Sequence, residues 1–226
     1  LYYYDPTIVL LIPAVILAAW AQYNVKSTFQ KYSGTMSHNG STAAEVANKL
    51  LYRAGLLNIP VNRVPGNLTD HYDPEKRVIN LSDSVYGSSS IASLGVAAHE
   101  CGHAIQHNSG YSPLMIRNSI VPIAGLSSKL AIPLIFIGLI LSATNLISLG
   151  IILFAGAVIF HFVTLPVEFN ASTRALTMLH DTGTLSGKEL AYARSVLRAA
   201  SWTYIAAAAV AALQLLRFII LLRNRR

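Results

Sequence analysis

Four long apolar runs and one polar block divide the chain. Thr7 to Tyr23 is apolar almost throughout and closes with Trp20 and Tyr23, aromatic residues that suit a membrane interface; Lys26 and Lys31 follow. No basic stretch precedes this run and no small-residue cleavage site ends it, so 7–23 reads as a retained span and not a signal peptide. Residues 30–112 form the longest polar stretch and read as a water-exposed domain. The second apolar run is 119–142, with Pro122, Pro133 and Lys129 inside it. Ala143, Thr144 and Asn145 break it before a third run at 146–165. A separate helix is expected at 166–183. Ser186 and Glu189 form a capping box that opens a last helix, 186–222, whose second half is the fourth span.

Within the polar block the periodicity changes. Thr42 and Glu45 make a capping box, Ala43, Val46, Ala47, Leu50 and Ala54 make an apolar stripe, and Gly55 stops the helix. Val61 to Val64 and Leu68 to Tyr72 are short strand candidates. Asp73 to Lys76 is a turn, and Arg77 to Leu81 alternates like a half-buried strand, which predicts a β-hairpin. The serines at 88–90 offer an N-cap for a helix from Ile91 to His107, ended by Asn108 and Gly110. The fold class is a mainly α membrane protein, with about four transmembrane helices and a small α+β domain.

Composition agrees. Of 226 residues, 53% are hydrophobic and only 12% charged, too apolar for an ordinary soluble domain. The net charge of +7 does not point to nucleic acid, because the basic residues flank the apolar runs and no basic stripe is interleaved with aromatics. One cysteine, Cys101, permits no intramolecular disulfide and reads as a packed thiol.

The chemistry sits in His99 to His103, which read HECGH. Two histidines four apart on a helix lie about 40° apart around the axis and about 6 Å along it, so both imidazoles can reach one metal ion. Glu100 lies about 100° round from His99, where its carboxylate can meet a metal-bound water. This is the spacing of zinc-dependent proteases. Catalytic zinc usually takes three protein ligands and one open position. His107 lies too far along the helix to share an ion with His99, and Ser109 stands where a metzincin would have its third histidine. Glu168, where the chain leaves the third apolar run, is the better candidate; a helix-start glutamate favoured by the macrodipole is the competing reading.

HECGH, a two-span hairpin and then Glu168-Phe169-Asn170-Ala171-Ser172 resemble the HtpX-like and CAAX-prenyl-protease-like membrane gluzincins. The chain is more similar still to the YugP-like family of neutral zinc metallopeptidases. Asp70 to His107, Val167 to Leu176, Val196 to Ala208 and the segment from Trp20 to Ser33 carry that resemblance. It implies a gluzincin-type zincin domain, one Zn2+ per chain on His99, His103 and Glu168, and Glu100 as general base. Ser172 departs from the HtpX-like pattern, which has Asp there to support a liganding histidine; a hydroxyl orients the ring but polarises it less.

The expected activity is peptide-bond hydrolysis by a zinc-bound water on a protein or peptide substrate associated with the lipid bilayer. An edge strand at Arg77 to Leu81 would take an extended substrate. Arg174, His180, Tyr192 and Tyr204 are candidate oxyanion donors, and nothing in the sequence chooses among them. His99 and Glu168 must share one side of the membrane. That side carries Lys26, Lys31, Arg117, Lys129, Arg174, Lys188, Arg194 and Arg198, which places the catalytic domain of this multi-pass protein in the cytoplasm; Arg223, Arg225 and Arg226 lie opposite. Two other readings compete: an inactive zinc-binding scaffold that binds protein partners, and an intramembrane protease with its motif inside a span. The polar residues flanking the motif helix speak against the second.

Overall fold

The computed structural model describes residues 6–224 and falls into two compact units. The membrane unit comprises residues 6–22, 115–166 and 203–224; the polar unit comprises 23–114 and 167–202.

Among the described residues, four helical segments are long and apolar enough to cross a membrane. They are a 3-10 turn, Pro6–Leu11, running into α1 (Ile12–Ser33), then α5 (Ser112–Ile140), α6 (Thr144–Asp181) and α7 (Gly187–Arg223). In the membrane unit, large side chains such as Ile123, Phe136, Ile152 and Ile159 point outward. Water would make such surfaces unfavourable, and lipid does not. Hydroxyls there turn back on their own helix: Ser128 Oγ donates to Ala124 O and Thr164 Oγ1 to Phe160 O. A small cluster of Ile135, Ile147, Ile151, Phe218 and Leu221 packs inside. Gly138 and Gly150 let α5 and α6 approach: a Cβ on Gly150 would lie 2.9 Å from Ala131 O, and one on Gly138 2.9 Å from Ile147 N.

Several expected boundaries differ. The segments expected at 146–165 and 166–183 are one helix, with Pro166 inside it. Proline removes a single backbone hydrogen bond, which a long packed helix tolerates. The turn between α5 and α6 falls at residues 141–143, where Ser142 adopts φ +54°, so Thr144 is already helical. The Ser186–Glu189 box gives way to a longer-range pair. The Glu189 carboxylate accepts from His38 N at 2.8 Å and pairs with His38 Nδ1 at 2.7 Å.

In the polar unit, α2 (Ala43–Arg53) begins with both bonds of the Thr42–Glu45 capping box. It packs in one core with the strands and with α4 (Ile91–Asn108), where Leu50, Ile79, Leu81, Ile91, Leu94 and Leu179 are fully buried. Ser90 caps α4 by accepting from Ser93 N. The sheet has order β1-β3-β2, with β1 (Val61–Val64) parallel to β3 (Val78–Ser82) and β2 (His71–Asp73) antiparallel to it. A short helix, α3 (Asp83–Tyr86), follows. The strand expected as a substrate edge at Arg77 to Leu81 is therefore the central strand, with Val78 to Ser82 paired to neighbours. Asn80 on this strand spends its amide on the His71 ring across the β2 pair.

Candidate metal centre

Helix α4 presents His99 and His103 one turn apart, and α6 brings Glu168 to the same point. His99 Nε2 lies 3.2 Å from Glu168 Oε2, His103 Nε2 lies 3.1 Å from His99 Nε2, and His103 Nε2 lies 3.6 Å from Glu168 Oε2. A tetrahedral zinc site with bonds of about 2.0–2.1 Å separates its donor atoms by about 3.3 Å. The triangle thus has the edge length that one such ion requires, and the cluster could hold a metal. Glu168 is only 3% exposed, so its charge needs a partner within the protein.

Both imidazoles are held from behind. His99 Nδ1 lies 3.2 Å from Ser172 Oγ, and His103 Nδ1 lies 3.0 Å from Gln106 Oε1. With Nδ1 protonated and donating to these oxygens, each Nε2 keeps its lone pair for the cluster. Burial works against a charged His103. The hydrogen bond and charge of Glu168, with the charge of Glu100, outweigh it, so the ring holds a proton more tightly than an ordinary histidine. An entering metal must displace that proton.

The helices meet closely because Gly102 has no side chain. A Cβ there would lie 2.6 Å from Ala171 O and 3.1 Å from Ala171 Cα. One free position of the HECGH string is thus glycine where two backbones touch. The other, Cys101, faces the core, with Sγ 3.6 Å from Ala47 O. Burial, helped by the Glu100 charge, pushes its thiol far above the usual value, so Cys101 is chemically silent.

Glu100 is buried, and its Oε2 accepts from the backbone N–H of Tyr72 on β2 at 2.9 Å. Tyr72 also reaches His107, with Oη 2.9 Å from Nδ1. One strand residue is thereby pinned to α4 at two points seven residues apart. The first contact is not legible in the sequence, because a main-chain N–H carries no residue signature. Gln106 and Asn170 are the other groups that sequence reasoning missed. Asn170 accepts from Gln106 Nε2 at 3.0 Å and from Arg174 Nε at 2.7 Å. Arg174 is thereby committed to Asn170, and its guanidinium lies over the Tyr111 ring. His180 pairs with Asp181 at the exposed end of α6. Tyr192 stacks on Tyr32, and Tyr204 belongs to the membrane unit.

Fold and cluster together describe a mainly α, multi-pass membrane protein with a histidine–histidine–glutamate group in which His103 and Glu168 are buried and His99 is partly exposed. The chain belongs to the family described as "Putative neutral zinc metallopeptidase", whose sequence profile matches residues 7–223. One relative, "Putative membrane protease YugP" of Bacillus subtilis (strain 168), is 47% identical over 220 residues, 97% of this chain and 97% of that protein. No solved structure matches the chain.

Proposed function

We propose that this chain is a zinc metalloendopeptidase of the membrane, with His99, His103 and Glu168 as the ligands of one Zn2+ and Glu100 as general base. The observation that carries this reading is the triangle of donor atoms at tetrahedral spacing, next along the helix to the Glu100 carboxylate. Zinc, when bound, supplies Lewis acidity that acidifies water and polarises a scissile carbonyl.

The chain's own residues supply orientation and a proton path. Ser172 and Gln106 hold the rings so that both Nε2 atoms face one point. The Tyr72 N–H holds Glu100 Oε2, which leaves Oε1 to take a proton from water and return it to the leaving amine. The substrate is a protein or peptide met at the membrane, a reading supported by the four apolar helices and by the relative's name.

Purified wild type and Glu100→Gln, compared for zinc content and for proteolysis of membrane extracts, test the reading. Zinc should be retained, with proteolysis reduced at least about 100-fold. Undiminished cleavage by the variant overturns it, and a wild type that binds zinc but cleaves nothing favours a scaffold instead. The basic residues on the catalytic side support a cytoplasmic polar unit. Cysteines introduced at Glu75 and Asn145, both exposed, check this against silent Cys101; a membrane-impermeant reagent added to intact cells should label only the Asn145 position.

A further inference from the structure

Gln106 stands three residues beyond His103, and no part of its side chain reaches solvent. A buried primary amide must find partners for one acceptor and two donors, and here each bond goes somewhere that matters. Its Oε1 faces His103 Nδ1 at 3.0 Å. Its Nε2 donates to Val167 O at 2.8 Å, the carbonyl of the residue before Glu168, and to Asn170 Oδ1 at 3.0 Å. Asn170 is fixed in turn by Arg174 Nε, and the backbone carbonyl of Gln106 accepts from the N–H of Tyr111, whose ring lies under the Arg174 guanidinium. The bonds close a ring from α4 to α6 and back.

We propose that Gln106 is the positioning residue that joins the two halves of this split metal centre. Its amide oxygen sets the plane and tautomer of His103. Its amide nitrogen fixes the backbone beside Glu168, so the carboxylate arrives at the distance the two imidazoles need. The proposal rests on the metalloprotease reading above. Ser172 does less for His99, because its hydroxyl comes from α6 itself and makes one contact across the crossing.

Gln106→Met keeps length and bulk and removes every side-chain hydrogen bond. Gln106→Glu keeps an acceptor for Nδ1 but cannot donate to Val167 O or Asn170 Oδ1. The full chain in detergent is titrated with Zn2+ against a chromophoric chelator, and Co2+ in the same site is read by its visible absorption, which reports coordination geometry. Melting of the metal-free protein shows that each variant folds. Gln106→Met should lose about 10- to 100-fold in zinc affinity and show an altered Co2+ spectrum. Gln106→Glu sets two effects against each other in affinity, a charged acceptor that strengthens His103 as a ligand and a lost tether that frees α6, so its Co2+ spectrum, which reports donor geometry, should still differ from wild type. If Gln106→Met does not fold, Gln106→Glu decides by the Co2+ spectrum. Zinc affinity within about two-fold of wild type, with an unchanged Co2+ spectrum, overturns the proposal. A wild type whose zinc binding is indifferent to His99→Ala overturns the metal-site reading instead, so the two failures are distinct.

Discussion

Helix α6 takes part in two close crossings, one in each unit, and they are built differently. In the polar unit it meets α4 where Gly102 faces Ala171; in the membrane unit it meets α5 where Gly150 faces Ala131 and Ile135. Glycine lets the backbones approach in both. Around Gly102 the approach is overlaid with directional bonds: Gln106 to Val167 O and Asn170, His99 to Ser172, and both imidazoles to Glu168. Around Gly150 there is apolar packing of Ile135, Ile147 and Ile151. Close approach alone gives affinity between helices; directional bonds add a fixed register. A metal centre shared by two helices needs that register to a fraction of an ångström, and a membrane hairpin does not.

Gly102→Ala is the change expected to act most strongly. Its Cβ would press on backbone atoms of Ala171, which cannot rotate away, so α6 must shift. Overpacking of this kind costs about 1–3 kcal/mol. The shift also moves Glu168 relative to both histidines, so zinc affinity should fall by more than about 10-fold. Thermal melting and chelator competition read the two effects; wild-type zinc affinity in this variant would show that the crossing does not set the donor spacing.

Gly150→Ala should separate the crossings. Its Cβ meets the Ile135 side chain, which can yield, and Ala131 O, which cannot, so a loss of stability of about 1 kcal/mol is expected. Zinc affinity should stay within about two-fold, because Gly150 meets Ala131 and Ile135 while the donors are held by one another, Gln106 and Ser172. A parallel fall in zinc affinity would mean that the two crossings act as one device.

What the sequence reveals follows the same division. The Thr42–Glu45 box, the Ser90 cap and the HECGH spacing are local, and each is visible within a few residues. The three donors that converge are the ones to which the motif and the family resemblance point. Gln106, Asn170 and Gly102 are not legible, because their meaning lies 61 to 69 residues away on the other helix of the crossing, in a hydrogen bond or in a gap between backbones. The central place of β3 is hidden for a related reason. Asn80 looks like a solvent-facing residue until its cross-strand partner His71 is known.

A substitution at Ser172 tests the weaker corner of the cluster. Ser172→Asp puts a carboxylate where a hydroxyl now lies 3.2 Å from His99 Nδ1. Two forces act on zinc binding, and both have the same sign. A charged acceptor makes the His99 ring a better ligand. In the metal-free protein the new charge sits near buried Glu168, and zinc relieves that repulsion on binding. Apparent zinc affinity should therefore rise, by up to about 10-fold, while melting of the metal-free protein falls by a few degrees for a loss of about 1 kcal/mol. Calorimetric titration beside melts with and without zinc separates the two. If the metal-free protein weakens and affinity does not rise, the hydroxyl already orients His99 fully. The register of the centre would then rest on the Gln106 side of the crossing alone.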